Sequence, residues 1–280
     1  GATVQSIICT GTARIYMYDS QWNANLTGTA PRLFTRGTTY NGTADLTKNG
    51  ASNDHSTGGN TFNMPTTITN SGTGRLRFSG TNGFPDDYNA RVTWIKSGTG
   101  ALQPSYNNTD TYADDININT NTQIYFGNGG NGRVLMDGGA GDQDINDLGA
   151  SPTPLFRDLQ VNKAAGEVNC NTPVEITVEL DLDNGVVNTT TANLMTMRNN
   201  SIVSSVSDAS HIDGPIEKIG NDAFTFPTGD SAVYRPISIS APTSGAARFR
   251  AEYFKVDPHP TYDHLALDVT LDHISSCEYW

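Results

Sequence analysis

Apolar residues in this chain come in short alternating runs. Thr43-Ala-Asp-Leu-Thr47, Thr66-Thr-Ile-Thr69, Arg91-Val-Thr-Trp-Ile95 and Asp115-Ile-Asn-Ile118 place apolar side chains at every second position. That is the period of a strand with one buried face. An aromatic residue followed by Asn opens each unit: Trp22-Asn23, Tyr40-Asn41, Phe62-Asn63 and Tyr88-Asn89, then a degraded Tyr112-Ala113. The aromatic positions are 18, 22, 26 and 24 residues apart. A second element interleaves, Gly-Thr leading into a strand, at Gly11, Gly28, Gly72 and Gly98; in three copies an Arg precedes an aliphatic residue. Turn clusters such as Asn49-Gly50 and Gly80-Thr-Asn-Gly83 separate the runs.

A unit of roughly 20–25 residues with two or three short strands is one coil of a parallel β-helix. One coil cannot bury its own apolar face, whereas stacked coils can. Equivalent residues then lie above one another at strand spacing. Trp22, Tyr40, Phe62 and Tyr88 are expected to stack in the lumen, and Asn23, Asn41, Asn63 and Asn89 to form an amide ladder. Hairpins in a sandwich also use Asn-Gly turns, but they do not require an aromatic-Asn pair at coil-length intervals.

From Leu155 the alternation becomes more regular, in Leu155 to Val161, Val174 to Leu182 and Asn193 to Met197. From His211 prolines, aromatics and charges rise, as in Phe224 to Asp230 and Tyr234 to Ser240. The expectation is an all-β chain: a right-handed parallel β-helix over residues 1–208, then an antiparallel β-sandwich-like module over 209–280, read as truncated, in the position of a cap.

Composition narrows the function. The 280 residues are 36% hydrophobic and 16% charged, with Thr, Asn, Ser and Gly making up the bulk, a mixture that disfavours helix. The net charge of −12 excludes a nucleic-acid partner, which would need a basic surface. No apolar run approaches the ~20 residues that span a bilayer, so no membrane insertion of this segment is expected. No signal peptide is visible, so the segment reads as a mature chain or a fragment. Cys9, Cys170 and Cys277 form no disulfide framework or zinc spacing and read as small core residues, with a pair bridging distant segments left open by the spacing.

Thr39 to Asp54, Gly58 to Asn63, Thr66 to Gly74, Asn184 to Thr190 and, most specifically, Gly214 to Asp230 resemble the large repeat-containing surface proteins of Bacteroidetes exported by the type IX secretion system. Ser276 to Trp280 resembles a segment that, in that family, runs on into further strands. The resemblance covers most of the chain. It implies a secreted or cell-surface location, contact with the secretion machinery during export, and an adhesive or stalk-like role. It carries no enzymatic motif. The missing C-terminal secretion domain is read as the mark of a fragment.

Candidate sites are few. Asp137, Asp142, Asp144 and Asp147 lie on a Gly-rich acidic loop, either a calcium site or a solvated turn between coils; no Glu closes it as in an EF-hand. His259, His264 and His273 lie among Asp257, Asp263, Asp268 and Asp272 at spacings that match no standard metal site. Asp86-Asp87 and Asp114-Asp115, 28 residues apart, could fall on neighbouring coils as acids of a glycosidase or lyase. Trp22, Trp94 and Tyr106 are candidates for stacking on sugars, with the lumen the better place for Trp22. No GxSxG, phosphate loop or Cys/His nucleophile arrangement occurs. The sequence therefore points to a non-catalytic structural or adhesive protein whose partners are surface glycans or other cell-surface proteins. Its rival is a carbohydrate-binding or polysaccharide-degrading β-helix.

Overall fold

A computed structural model describes residues 4–139, 141–263, 268, 270 and 275–280. Among these residues there is no helix, and the chain winds into a parallel β-solenoid of about 10 turns. Each coil contributes one strand to each long sheet. Face one is a 12-stranded sheet running from Gln5–Ile8 through Leu26–Ala30, Ala44–Lys48, Thr66–Asn70, Val92–Lys96 and Ile116–Thr120 to Thr228–Asp230 and, at its end, Val233–Tyr234. Face two is a 13-stranded sheet that includes Gln21–Trp22, Thr39–Tyr40, Thr61–Phe62, Asp87–Tyr88, Thr109–Tyr112 and Arg133–Met136. A third, shorter face carries Arg14–Tyr18, Arg32–Arg36, Asp54–His55, Leu76–Arg77 and Leu102–Gln103.

Pleat alternation builds the core. On face one, Leu46, Ile68, Trp94 and Ile118 share one register column and are all fully buried. Their neighbours Asp45, Thr67 and Thr93 point the other way and remain partly or fully exposed. The Thr-rich runs are therefore half-buried strands, in which β-branched side chains pack on the pleat.

The corner after face one is built from glycine. A Cβ on Gly72 would lie 2.2 Å from the Gly50 carbonyl oxygen, and one on Gly98 would lie 2.2 Å from that of Gly72. Only a residue without a side chain lets the corners stack at strand spacing. The corner carbonyls are capped from within. The buried Lys48 ammonium donates to Gly50 O at 2.7 Å and Gly74 O at 3.0 Å, and one coil on the Asn70 amide donates to Gly74 O and Gly100 O. Gly28, by contrast, sits inside the strand Leu26–Ala30. The Gly-Thr pattern thus mixes strand and corner positions.

From Leu155 the third face and face two join. Leu155–Asn162 pairs with both Tyr125–Phe126 and Arg133–Met136, and on its other side with Val174–Asn184 across a register shift between Phe156 and Asp158. Val174–Asn184 then pairs with both Met195–Met197 and Ile202–Ser204. The regular alternation of this stretch reflects strands long enough to serve two faces.

Coil pairing continues past residue 208. Ile212–Asp213 lies parallel to Val187–Asn188, Ile216–Ile219 to Met195–Met197, and Thr228–Asp230 to Ile212–Asp213. Residues 209–230 therefore belong to the coil stack, because Ile212 and Ile216 still bury their side chains in the common core. Antiparallel strands then turn back on the last coil: Val233–Tyr234 on Thr228–Asp230, Ile237–Ile239 on Phe224–Phe226, and Arg248–Ala251 on Ile216–Ile219. They cover backbone edges that would otherwise be left open. The run Leu265 to Leu271, part of the expected sandwich-like module, lies mostly outside the described residues.

Candidate functional site

Two side-chain columns run along face two. The rings of Tyr40 and Phe62 stack at 4.7 Å, Phe62 and Tyr88 at 4.9 Å, and Tyr88 and Tyr112 at 4.8 Å. All four rings are buried, whereas Trp22, in register with Tyr40, is only half-buried at the start of the row. Beside them the Asn41 amide donates to Asn23 at 2.7 Å, Asn63 to Asn41 at 2.8 Å, and Asn89 to Asn63 at 2.8 Å. Each Asn amide both donates and accepts, so the chain of bonds propagates from coil to coil along the column. On face one a similar row links Asn117, Asn146 and Asn171.

A third column lies two residues before the aromatics: Thr38, Asn60, Asp86 and Asp110, all fully buried or nearly so. The Asn60 side chain accepts from Thr38 N, and Asp86 Oδ1 accepts from Asn60 N at 2.9 Å and Asn60 Nδ2 at 2.7 Å. Asp110 Oδ1 accepts from Ser79 Oγ at 2.6 Å and from Asp86 N at 2.8 Å. The second oxygen of each carboxylate has no hydrogen-bond partner. Burial drives both carboxyls well above their ordinary range, against the hydrogen bonds that favour the ionised form; Asp87 raises Asp86 further, and Asp86 raises Asp110.

Outside this column an open groove of about 500 Å³ is lined by Asp87, Asn89, Thr109, Thr111 and Asp137, with Pro85 and Asp86 at its base. Thr111 Oγ1 donates to Asp87. Asp137 is held above its ordinary value by partial burial and then by Asp87, and its Oδ1 has no partner. Two carboxylates in one groove are the minimum for acid–base work on a glycosidic bond.

The four loop aspartates are spread over this region. Asp137 faces the groove, Asp142 accepts from Glu167 N, Asp144 accepts from the Asn169 amide, and Asp147 caps Gly149 N and Ser151 N. Among the described residues, no three His, Cys, Asp or Glu side chains are close enough together to hold a metal ion. Asp114-Asp115 does not lie over Asp86-Asp87: register sets Asp87 beside Thr111, and Asp115 accepts from Asp144 N on the following coil. Sequence distance counted whole coils but missed the position within a coil. Trp94 is fully buried, edge-on to Phe78, Tyr88 and Phe126, and offers no sugar-stacking face. Tyr106 is half-buried beneath Arg77. His264, His273 and Asp272 lie outside the described residues. Cys170 is a core residue whose thiol burial pushes up to about 12, but Cys9 is only partly buried and Cys277 is exposed.

Asp110 was not singled out from the sequence. The signal was present, since Asn60, Asp86 and Asp110 each precede a stacked aromatic by two residues. Comparison with family models, with curated proteins and with solved structures finds no match for the chain.

Proposed function

We propose that this chain is a non-catalytic structural segment, a stiff β-helical stalk or passenger that carries adhesive modules away from a bacterial surface. The observation that carries this reading is the run of stacked rings from Tyr40 to Tyr112 beside the amide ladder from Asn23 to Asn89, a load-sharing spine along the solenoid. The resemblance to type IX secretion substrates of Bacteroidetes supports an extracellular location, with surface glycans or other surface proteins as partners. Right-handed winding of the coils follows from the strong handedness of parallel crossovers. We take the antiparallel strands after Asp230 as the opening of a sandwich-like module. Calcium on the 137–147 loop is also a proposal, supported by its aspartates and its glycines and tested by calorimetric titration with CaCl₂.

Pulling single molecules from both termini tests the stalk. Resistance broken in coil-sized steps is expected; extension at the low force of an unstructured chain would remove the reading. A second reading, polysaccharide cleavage, is favoured by the Asp87/Asp137 groove. Reducing-sugar release from acidic or neutral polysaccharides, lost in both Asp87→Asn and Asp137→Asn, would establish it in place of the first.

A further inference from the structure

The third face has a surface chemistry at odds with the rest of the chain. The protein carries a net charge of −12, yet Arg14, Arg32, Arg36, Arg75 and Arg77, five of its 17 Lys and Arg, fall on or beside this one short face. Strand register places Arg14 beside Arg32, Tyr16 beside Phe34 and Tyr18 beside Arg36. The next coils add His55 beside Arg77, and then Gln103. The alternate residues Ile15, Met17 and Leu33 enter the core, so the basic and aromatic side chains are the outward set.

These groups are arranged in contact with one another. The Tyr16 and Phe34 rings stack at 4.9 Å and 11°. The Arg32 guanidinium lies 4.9 Å over Phe34, that of Arg36 4.6 Å over Tyr18, and that of Arg77 3.8 Å over Tyr106. Stacking on a ring holds a guanidinium flat while leaving edge N–H groups for an oxyanion. Two carboxylates share the face: Asp54 is buried beneath Arg32, and Asp19 pairs with Arg36. Tyr16 remains 51% and Tyr18 39% exposed. A groove of about 370 Å³ between Arg14, Arg32, Pro31 and the Gly50–Ser52 turn opens beside these rings. Arg77 and Arg75 also press the His55 pKa downward, on top of its burial, so the local field is positive.

We infer that this face is a binding site for an anionic polysaccharide, with the exposed rings stacking on sugar faces and the arginines pairing with carboxylate or sulfate groups. Coils stack at ~4.8 Å, which sets Arg14 beside Arg32 and, two coils on, Arg77 beside His55; the cations make two patches along the face, with Asp54 held under Arg32 between them, within reach of one linear polyanion lying across the strands. Arg pairs with such groups in bidentate fashion. The densely charged backbone of a nucleic acid would extend beyond this short strip onto acidic surface, which disfavours it. The binding chemistry rests on this face alone; only the source of the ligand rests on the cell-surface reading, and a failed pulling experiment would leave it standing.

The test is affinity electrophoresis and calorimetry of the full chain against polygalacturonate at low salt, with dextran as the neutral control and polyuridylate as a competing polyanion. Binding to polygalacturonate that weakens with added salt is expected, with little retention by dextran. Arg14→Gln with Tyr16→Ser should weaken it about tenfold or more. Arg14 donates to the Tyr16 hydroxyl and both side chains are exposed, so circular dichroism and melting should match the parent. Arg77→Gln, on another coil, should weaken it independently. No binding at low salt, equal retention by dextran, tighter binding of polyuridylate, or folded variants that bind like the parent would each overturn the assignment.

Discussion

At the scale of single residues, the buried pair Asp86 and Asp110 sets a pH dependence. The carboxyls are stacked one coil apart, each with one unpartnered oxygen, and the ionisable groups facing them are Asp87, Tyr40, Tyr88 and Tyr112. No cation is among these, so the folded chain retains protons that the unfolded chain releases. A raised folded-state pKa contributes stability below the ordinary carboxylate value of about 4, and that stability is lost as pH rises through the folded value, about 7 for Asp86. Stability should therefore fall between about pH 4 and neutrality. Asp86→Asn supplies an amide able to donate toward Asp110, as Asn60 already donates to Asp86. It should flatten the slope and raise stability at pH 8 by roughly 1–3 kcal/mol, read from urea melts across pH. A variant slope as steep as the parent's would place the titration elsewhere. Asn63 makes the complementary case: its amide links Asn41 and Asn89 at the surface, so Asn63→Ala should cost only about 1–2 kcal/mol in the same melts. This ladder could be read from sequence because each Asn follows its aromatic directly. The acids were misjudged because they were grouped as adjacent pairs rather than by their offset from the repeat.

At the scale of elements, corners impose stricter limits than strands. Gly98→Ala would set a methyl 2.2 Å from the Gly72 carbonyl oxygen, and backbone cannot yield there without parting two coils. A loss of roughly 3 kcal/mol or more is expected, large for one methyl group. Gly83 has open space around it but a φ of +85°, so Gly83→Ala should cost about 1 kcal/mol through backbone strain alone. Gly139 has neither restriction, and Gly139→Ala should melt within about 0.5 kcal/mol of the parent. Equal melting temperatures for the Gly98 and Gly139 variants would show that the corners do not stack as described. The strands were legible because period-2 alternation follows directly from the pleat. The corners were not, since a glycine inside a strand, such as Gly28, and a corner glycine look alike when only the following Thr is read. The buried Lys48 was equally hidden, because its role depends on carbonyls contributed by two different coils.

At the scale of the whole molecule, the fold class was legible because the repeat is itself the fold. The end of the stack was not, because the change in composition after His211 marks the return strands, while burial of Ile212 and Ile216 keeps the last coils in the common core. A solenoid touches itself only between neighbouring coils, so damage should stay local. Phe62→Ala removes a fully buried ring packed between Tyr40 and Tyr88, at a cost of about 3–5 kcal/mol. In a single cooperative globule that loss would lower every core amide's protection alike. Here its effect should be greatest in the adjoining strands Thr39–Tyr40 and Asp87–Tyr88 and the coils around them. The strands Val174–Asn184 and Met195–Met197, several coils away, should keep their native exchange rates because their partners are untouched. Hydrogen exchange read by mass spectrometry distinguishes the two outcomes. A uniform loss across both regions would mean that the coils unfold as one unit, and stiffness would then have to come from whole-chain cooperativity rather than from the stacked spine.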